Sequence, residues 1–246
     1  AMVKAGQLEK IEVSSRQNRD IKTTLSFLKS AIRSASRLNL SPEQVHAAQK
    51  INEKENGFSV ALLDGVTGSG KTEVYFELVK KKILQGRQCL ILLPEIVLTT
   101  SWVNRFKKWL GFMPNIWHSG ISAGKKKRIW REINEGHPGV VVGARSALFL
   151  PFSNLGAIIV DEEHEAGYKQ EEQVIYHARD MAILRAKHAN CSIVLATATP
   201  SLESWINVHK GRYQHITLAN RYGVATMPDI QTIDLRKFKP AFGKWI

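Results

Sequence analysis

Residues 59–72 read SVALLDGVTGSGKT, an apolar run that leads directly into a glycine-rich stretch. The second part, residues 65–72, matches the pattern G-x-x-x-x-G-K-[ST]. Between a β-strand and an α-helix, this pattern forms a loop whose backbone N–H groups surround phosphate oxygens. The context fits, because SVALLD is typical of a buried strand and the TEVYFELVKKKIL that follows is typical of a helix. We therefore predict a phosphate-binding loop (a P-loop, or Walker A motif); the alternative is a flexible turn with no ligand.

The residue types in this loop are those that bind the phosphates of a nucleotide together with a metal ion. Glycines let the backbone approach the phosphates closely, and the start of the following helix adds a positive dipole end. Lys71 is predicted to neutralise the β- and γ-phosphates, and the hydroxyl of Thr72 to ligate Mg²⁺. The predicted nucleotide-binding residues of the loop are Gly65, Thr67, Gly68, Ser69, Gly70, Lys71 and Thr72.

On both sides of the loop, short apolar runs alternate with helical patterns. The strand candidates are residues 59–63, 89–93, 140–142, 157–160 and 193–196, and the helix candidates are residues 72–84, 98–109, 123–135, 178–188 and 201–209. The strands are almost continuously apolar, as expected for parallel strands covered on both faces. The order predicts an α/β, doubly wound domain with a central, mainly parallel sheet and helices on both faces. Ser41 and Pro42 are predicted to be the N-cap and first residue of a helix ahead of the loop.

Residues 155–164, LGAIIVDEEH, form a second buried strand candidate, and it ends in acids. Asp161 is predicted to hold Mg²⁺ through its water shell, and Glu162 to accept the proton of the water that attacks the γ-phosphate. Lys71, Asp161 and Glu162 are therefore the predicted catalytic residues, and Thr72 and Asp161 the predicted metal residues. The alternative is that the acids cap the following helix.

The motif TATP, residues 197–200, follows another predicted strand, where a parallel sheet places its ligand-facing loops. The hydroxyls of Thr197 and Thr199 are in a position to sense the γ-phosphate. Alternatively, Thr199 only caps a helix whose first residue is Pro200.

Residues that suit nucleic acid follow the remaining strands. Thr99, Arg145 and Ser146, with nearby backbone N–H groups, are predicted to grip a nucleic-acid backbone, unless they are ordinary helix caps. Tyr168 and Tyr176 lie in an aromatic and polar insert directly after the acids. They are predicted to stack on a nucleobase; for Tyr176, packing against the next helix is the alternative.

The chain is basic, with 35 Lys and Arg against 22 Asp and Glu and a formal net charge of +13. Counted along the sequence, residues 101–150 carry +7 and residues 1–40 carry +5, which leaves +1 for the rest. The +7 of residues 101–150 lies between and within the loops predicted to contact nucleic acid, and it predicts salt-sensitive binding of a nucleic-acid backbone there. For the run KKKR at residues 125–128, a solvated helix face is the alternative.

Composition excludes several classes of protein. Hydrophobic residues make up 43% of the chain, which excludes intrinsic disorder, and no apolar run approaches the roughly 18 residues of a membrane span. Cys89 and Cys191 both lie in apolar runs, so we predict buried thiols rather than a disulfide. The histidines and cysteines show no metal-ligand spacing, so no zinc site is predicted in this chain.

The ordered motifs GVTGSGKT, LLPEIVLT, GARSALF, DEEH and TATP resemble those of the first ATPase lobe of superfamily-two helicases. Longer matches, among them GVTGSGKTEVY, YHARD and MPDIQTIDLR, resemble the bacterial primosomal replication-restart DNA helicases over about residues 40–240. The resemblance implies a RecA-like lobe of an ATP-dependent helicase that unwinds DNA in the 3′-to-5′ direction, in replication restart and primosome assembly at stalled forks. The competing hypothesis is a nucleotide-dependent module that remodels or tethers DNA without strand separation.

The resemblance also implies roles for individual residues. Gln44 matches a glutamine that reads the adenine edge, and Arg145 matches a residue of a DNA-contacting loop. Residues 165–180 match an aromatic-rich loop that signals DNA occupancy to the ATPase site. The residues that match positions coupling the nucleotide state to the grip on DNA are His164, Thr197 and Thr199.

The same resemblance implies a domain organisation. Residues 1–40 are expected to be a basic lead-in or linker from an N-terminal DNA-binding region, and residues 41–220 the ATP-binding lobe. Residues 221–246 are expected to begin the connection to a zinc-binding region and a second lobe. Zinc is expected only in that further part, and this chain alone is expected to be nearly inactive because the second lobe supplies an arginine to the transition state.

ATP and Mg²⁺ are the expected cofactors. The expected partners are branched DNA forks and single-stranded DNA, and the resemblance adds single-stranded DNA-binding protein and primosome proteins. The expected location is the bacterial cytoplasm, with no membrane contact.

Overall fold

A computed structural model of the chain describes residues 15–35, 39–53, 57–94, 97, 99–172 and 174–222. The helices are α1 (Ser15–Ser34), α2 (Pro42–Asn52), α3 (Lys71–Leu84), α4 (Thr100–Leu110), α5 (Ala123–Asn134), α6 (Ala178–His188) and α7 (Leu202–His209). The strands are β1 (Ser59–Gly65), β2 (Gln88–Leu92), β3 (Asn115–Trp117), β4 (Gly139–Gly143), β5 (Leu155–Asp161), β6 (Lys169–Gln170), β7 (Tyr176–His177), β8 (Ser192–Thr197) and β9 (Gln214–Leu218). Two short 3-10 segments, Arg145–Phe149 and Ala166–Tyr168, follow β4 and β5.

Seven strands form one sheet in the order β3-β4-β2-β5-β8-β1-β9, and each neighbouring pair is parallel. The predicted α/β fold with a central parallel sheet is therefore confirmed. Parallel strands place their carboxyl ends at one edge, so the loops after β1, β5 and β8 meet there. Because β8 lies between β1 and β5, the phosphate loop and the acids approach each other across a single strand.

The sheet is covered on both faces, as the continuous apolarity of its strands predicted. In β1, Ala61 and Leu63 point to one face and Val60 and Leu62 to the other, because side chains alternate along a strand. Helices α1 to α4 bury apolar side chains on the first face, and α5 and α6 do so on the second. Two separate hydrophobic layers therefore hold the carboxyl edge in place.

The segment ahead of the sheet packs more closely than the sequence predicted. Ser41 caps α2 and Pro42 is in its first turn, as predicted. Residues 1–40 were expected to be a lead-in outside the core, but α1 contacts α3 and α4. Leu28 and Ile32 lie one helical turn apart, and both are buried in the first hydrophobic layer. This part of the lead-in is therefore integral to the lobe.

The two edge strands of the sheet were not predicted from the sequence. β3 has only three residues, all half-buried, and β9 alternates between buried and more exposed side chains. Neither shows the continuous apolarity that marked the central strands. Cys89 and Cys191 are free and buried, as predicted. In the described part of the chain, no helix has the length and apolarity needed to cross a membrane. The predicted connection from residue 221 onward lies, beyond residue 222, outside the described residues.

Candidate functional site

The phosphate loop joins β1 to α3 in a conformation that depends on glycine. Gly68 and Gly70 have φ angles of +83° and +85°, in the left-handed region that side chains disfavour. A Cβ atom on Gly70 would lie 2.1 Å from Gln44 Nε2, so this position also needs the missing side chain for space. Gly70 is the N-cap of α3 and provides no side-chain hydrogen bond. Among the described residues, no side chain caps the first N–H groups of the helix, as a phosphate-binding loop requires.

Lys71 begins α3, and its ammonium group is held inside the loop. Nζ donates to the carbonyl oxygens of Gly65, at 2.7 Å, and Val66, at 3.4 Å. Burial lowers the pKa of Lys71, whereas the negative charges of Glu162 and Asp161 oppose that shift. The ammonium group therefore lies within electrostatic reach of both acids, and its present acceptors are ones that phosphate oxygens can replace.

Asp161 and Glu162 lie together at the carboxyl end of β5, but their environments differ. Asp161 is buried, and burial raises its pKa to about 6, although a hydrogen bond from Tyr75 opposes that shift. The side chain of Glu162 is 36% exposed. Its φ angle of 48° is left-handed, which costs a residue other than glycine on the order of 1 kcal/mol. The strained turn thus separates a buried carboxylate from a more accessible one.

Glu163, the next residue, was not singled out in the sequence, yet it anchors this turn. Its side chain is fully buried and accepts hydrogen bonds from Arg179 Nη1 at 3.0 Å, from the Ser201 N–H at 2.8 Å and from the hydroxyls of Ser201 and Ser204. Its own N–H donates to the carbonyl of Ala196 in β8. A buried ion pair satisfied in this way fixes the residue that directly follows Glu162.

Gln44, which was predicted to read the adenine edge, lies beside the phosphate loop, and its role toward adenine stays a prediction. The side chain is 2% exposed. Its Nε2 donates to the Ser69 carbonyl at 2.8 Å, and its Oε1 accepts from the Ser41 N–H at 2.9 Å. Both ends of the amide are therefore engaged, and in this conformation Gln44 ties α2 to the phosphate loop instead of facing open space.

The residues predicted to couple nucleotide state to DNA lie side by side at the end of β8. His164 Nδ1 and Thr197 Oγ1 are 2.7 Å apart, and Thr197 Oγ1 also accepts from the Thr199 N–H. The alternative proposed for Thr199 is wrong, because α7 begins at Leu202 and its N-cap is Ser201. The structure thus brings the three residues together; their coupling role remains a prediction.

Of the residues predicted to hold a nucleic-acid backbone, two already have internal partners. Thr99 is the N-cap of α4, and its hydroxyl accepts from the Trp102 N–H, so the capping alternative applies to it. Arg145 Nη1 donates to the carbonyl of Lys169 at 2.7 Å. Ser146 is exposed. These residues lie on the loops at the carboxyl edge, but only part of their hydrogen-bonding capacity is available to a ligand.

The two tyrosines of the insert lie in different environments, and the prediction that Tyr168 stacks on a nucleobase is wrong. Tyr168 is 2% exposed, and its hydroxyl lies within hydrogen-bonding distance of the carbonyl oxygens of Leu92 and Asp161. Its ring is packed inside the lobe, so it has no free face for a nucleobase. Tyr176 is half-buried in the β6–β7 hairpin and packs edge-on against Phe149, with ring centroids 5.3 Å apart.

The basic run of α5 is mostly solvated. Lys125, Lys127 and Arg128 are exposed, and Arg128 pairs with Glu132 one turn later at 3.7 Å. Lys126 Nζ donates to the carbonyl of Ser119. The solvated-face alternative therefore describes the free structure, while the charges remain available to an anionic partner.

Two further buried side chains at the site, Tyr75 and Trp102, were also missed. The Tyr75 hydroxyl donates to Asp161 Oδ2 at 2.9 Å, and the Trp102 indole Nε1–H donates to the Tyr75 oxygen at 3.3 Å. No signal in one sequence connects these residues, because 86 positions separate Tyr75 from Asp161.

Comparison with known proteins agrees with this geometry. The sequence model of the DEAD/DEAH box helicases matches residues 41–207. The replication restart protein PriA of Rickettsia felis is 47% identical over 201 residues, which cover 82% of this chain and 31% of the relative. The replication restart protein PriA of Bacillus subtilis is 46% identical over 202 residues, which cover 81% of this chain and 25% of the relative. The chain thus spans less than a third of the length of these relatives.

Solved structures share the fold at low sequence identity. RecG bound to a three-way DNA junction superposes with a TM-score of 0.57 at 19% identity, over 86% of this chain and 29% of that one. The UvsW helicase of bacteriophage T4 superposes with a TM-score of 0.52 at 20% identity, over 88% of this chain and 71% of that one. The family match covers the phosphate loop, the acids and the β8 threonines together, and the chain belongs to the DEAD/DEAH box helicase family.

Proposed function

We propose that this chain is the ATP-binding lobe of an ATP-dependent 3′-to-5′ DNA helicase that acts in replication restart and primosome assembly at stalled forks. One observation carries the proposal. Across β8, an uncapped helix start with Lys71 faces the strand-end acids Asp161 and Glu162, in a chain nearly half identical to replication restart proteins. That arrangement suits nucleotide hydrolysis, and the relatives indicate where the released energy is used.

The loop residues bind and orient the nucleotide. The N–H groups at the start of α3 donate to phosphate oxygens, and the helix dipole favours their negative charge. Lys71 exchanges the carbonyls of Gly65 and Val66 for phosphate oxygens. This exchange also returns the buried ammonium group to an anionic environment, which offsets the burial that lowers its pKa.

The residues present fit Mg²⁺. Thr72 and Asp161 provide a hydroxyl and a carboxylate, which are the hard oxygen donors that Mg²⁺ prefers. Among the described residues, no cluster of three or more His, Cys, Asp or Glu side chains is able to hold a metal ion, so phosphate oxygens and water complete the proposed coordination. When bound, Mg²⁺ neutralises charge that develops on the phosphates. We place zinc only in a further region of the longer protein.

Glu162 is the proposed general base. Its carboxylate is accessible, whereas that of Asp161 is buried, so a water molecule can reach Glu162 more easily. The strained turn holds Glu162 between two anchored neighbours, which fixes the position from which it accepts a proton.

DNA is the proposed partner, in the form of branched forks and single strands. The exposed basic residues of α5 and the loop residues Thr99, Arg145 and Ser146 supply a positive surface with hydrogen-bond donors. We further propose single-stranded DNA-binding protein and primosome proteins as partners in the bacterial cytoplasm. Residues 41–220, with α1 packed against them, form the proposed lobe. Residues 1–40 connect it to a proposed DNA-binding region, and residues 221–246 begin the connection to a zinc-binding region and second lobe.

The decisive experiment is performed on the full-length protein. Lys71→Ala should abolish MgATP binding and DNA unwinding. Lys80→Ala, which removes a half-buried lysine further along α3 that pairs with Glu77, should leave both unchanged. Unchanged ATP turnover in Lys71→Ala would refute the site. ATP turnover without strand separation would favour the DNA-remodelling alternative. These 246 residues alone should turn ATP over roughly 10³–10⁵-fold more slowly, because the second lobe supplies transition-state charge.

A further inference from the structure

Asp161 is the last member of a buried hydrogen-bond chain that starts on α4. The Trp102 indole Nε1–H donates to the Tyr75 hydroxyl oxygen at 3.3 Å, and that hydroxyl donates to Asp161 Oδ2 at 2.9 Å. Tyr75 is on α3, three positions beyond Thr72, the last residue of the phosphate-loop motif. Three elements of the lobe therefore meet at one carboxylate.

The donor and acceptor properties of these three side chains fix the direction of the hydrogen bonds between them. An indole N–H only donates, so the Tyr75 oxygen must accept from Trp102 and its proton must point to Asp161. The result is a fixed donor aimed at one carboxylate oxygen.

Packing leaves these side chains little freedom. Tyr75 is fully buried, and Trp102 is 6% exposed. The Trp102 ring stacks on Phe106, with centroids 5.6 Å apart, and meets Phe76 edge-on at the same distance. A shift of α4 would therefore move the indole as a rigid unit and alter its bond to Tyr75.

The start of α4 connects this buried hydrogen-bond chain to the protein surface. Thr99 caps α4, and its hydroxyl accepts from the backbone N–H of Trp102 at 3.3 Å. Thr99 and Thr100 are exposed at the carboxyl edge of the sheet. Thr99, the residue at which α4 begins, is thus hydrogen-bonded directly to Trp102, the residue that carries the indole.

We propose that Tyr75 and Trp102 are positioning residues that orient Asp161 for Mg²⁺ and transmit to it the position of the start of α4. The inference rests on the proposed function, because it assigns Asp161 to the metal. Partners that orient a metal-binding group contribute to metal affinity without touching the metal, typically by 10- to 100-fold.

The test uses the 246-residue chain and a fluorescent ATP analogue. Tyr75→Phe should raise the Mg²⁺ concentration for half-maximal nucleotide binding roughly 10-fold, while binding in excess chelator stays unchanged. A merely structural defect would weaken binding with and without metal. Trp109→Phe is the matched control, because the Trp109 indole of α4 donates to Glu77, at 2.9 Å, instead of to Tyr75.

A second readout follows the indole itself. The chain has six tryptophans, so the ¹⁵N-labelled protein should give six indole N–H signals, and Trp102→Phe identifies the signal of Trp102. That signal should move when Mg²⁺ is added to the nucleotide complex, and it should move in Tyr75→Phe. The Trp109 signal should not.

Helix caps test the link to the surface. Thr99→Ala should shift the Trp102 signal and raise the half-saturating Mg²⁺ concentration about threefold, an effect of the size expected for a lost cap. Ser122→Ala removes the equivalent cap of α5, whose hydroxyl accepts from Lys125, and should do neither.

The outcomes separate the two proposals. Unchanged Mg²⁺ dependence in Tyr75→Phe, with a Trp102 signal that ignores Mg²⁺, overturns the positioning role and leaves the nucleotide site standing. Absence of Mg²⁺-dependent nucleotide binding in the unmodified chain overturns the proposed function itself. If Tyr75→Phe does not fold, Trp102→Phe takes its place, since it retains the Tyr75–Asp161 bond; Mg²⁺ dependence identical to that of Trp109→Phe would then refute the relay.

Discussion

At the carboxyl edge of the sheet, the polar side chains of Lys71, Asp161, Glu163 and Thr197, beside β1, β5 and β8, are buried and hydrogen-bonded. Several polar side chains that follow β2 and β4 are instead exposed. Asp161 and Glu163 belong to the first group, which we call the nucleotide half. Thr99 and Ser146 belong to the second group, the outer half. So does the β6–β7 hairpin, which follows β5 in the chain but is hydrogen-bonded to Arg145; Val174 and Ile175 at the hairpin are each 73% exposed. The two halves lie at the same edge of the sheet, but the polar side chains of the nucleotide half are held more firmly in place.

The difference follows from what each half is proposed to bind. Hydrolysis requires groups held at fixed positions, so buried side chains with satisfied hydrogen bonds suit the nucleotide half. Binding of a DNA backbone that has to move along the protein does not require fixed positions. Exposed groups with unused hydrogen-bond donors therefore suit the outer half. Arg145, bonded to the carbonyl of Lys169, and Tyr168, beneath Asp161, lie where the halves meet.

The largest expected effect is on chemistry in the nucleotide half. Glu162→Gln in the full-length protein should slow ATP hydrolysis by about 10²–10⁴-fold, because the amide cannot accept the water proton. Nucleotide binding should persist. Single-turnover hydrolysis and equilibrium binding measure the two effects, with Glu132→Gln on α5 as control. A normal hydrolysis rate would remove Glu162 from the mechanism.

The next effect is on the stability of the same half. Arg179→Ala leaves Glu163 buried without its cation, which should lower the free energy of unfolding by about 3–5 kcal/mol. Urea unfolding of the 246-residue chain measures it. Arg212→Ala removes an exposed arginine and should change stability by less than about 0.5 kcal/mol. Equal effects of the two variants would contradict the contrast between buried and exposed regions.

A stabilising substitution should lie at Asp161. Its pKa is about 6 in the fold against 3.8 as the ordinary value, so the folded protein binds this proton more tightly than the unfolded chain. The ionised carboxylate therefore destabilises the fold above pH 6, by up to about 3 kcal/mol. That penalty shrinks as pH falls through 6 and vanishes below 3.8. Asp161→Asn should accordingly stabilise the chain more at pH 8 than at pH 5, as urea unfolding at both pH values would show. A gain independent of pH would contradict the assigned titration.

The smallest effects belong to the outer half. Arg145→Ala should weaken binding of single-stranded DNA by the full-length protein several-fold and reduce the salt slope by about 1. Neutralising Lys127, an exposed member of the α5 run, should have a smaller effect still. Affinity measured over a series of salt concentrations tests both. If neither variant loses affinity, the positive charge of residues 101–150 has no part in DNA binding.

Local sequence patterns predicted most of the fold and the central residues of the candidate site. The phosphate loop follows from glycines that tolerate a left-handed backbone, and the acids follow from an apolar strand that stops at Asp161. Five central strands are apparent because burial on both faces removes polar residues from them. The edge strands β3 and β9 are less apparent, since one side of each has no neighbouring strand.

The sequence by itself therefore determined the α/β class, the loop and the strand-end acids, because each depends on neighbours along the chain. Only the tertiary structure decided that Gln44 is bonded to the phosphate loop and that Tyr168 is packed inside the lobe. It also decided that Arg179 pairs with Glu163 and that Trp102 and Tyr75 lead to Asp161. These contacts join residues up to 86 positions apart, and no periodicity or spacing encodes which buried polar groups will meet when the strands are brought side by side.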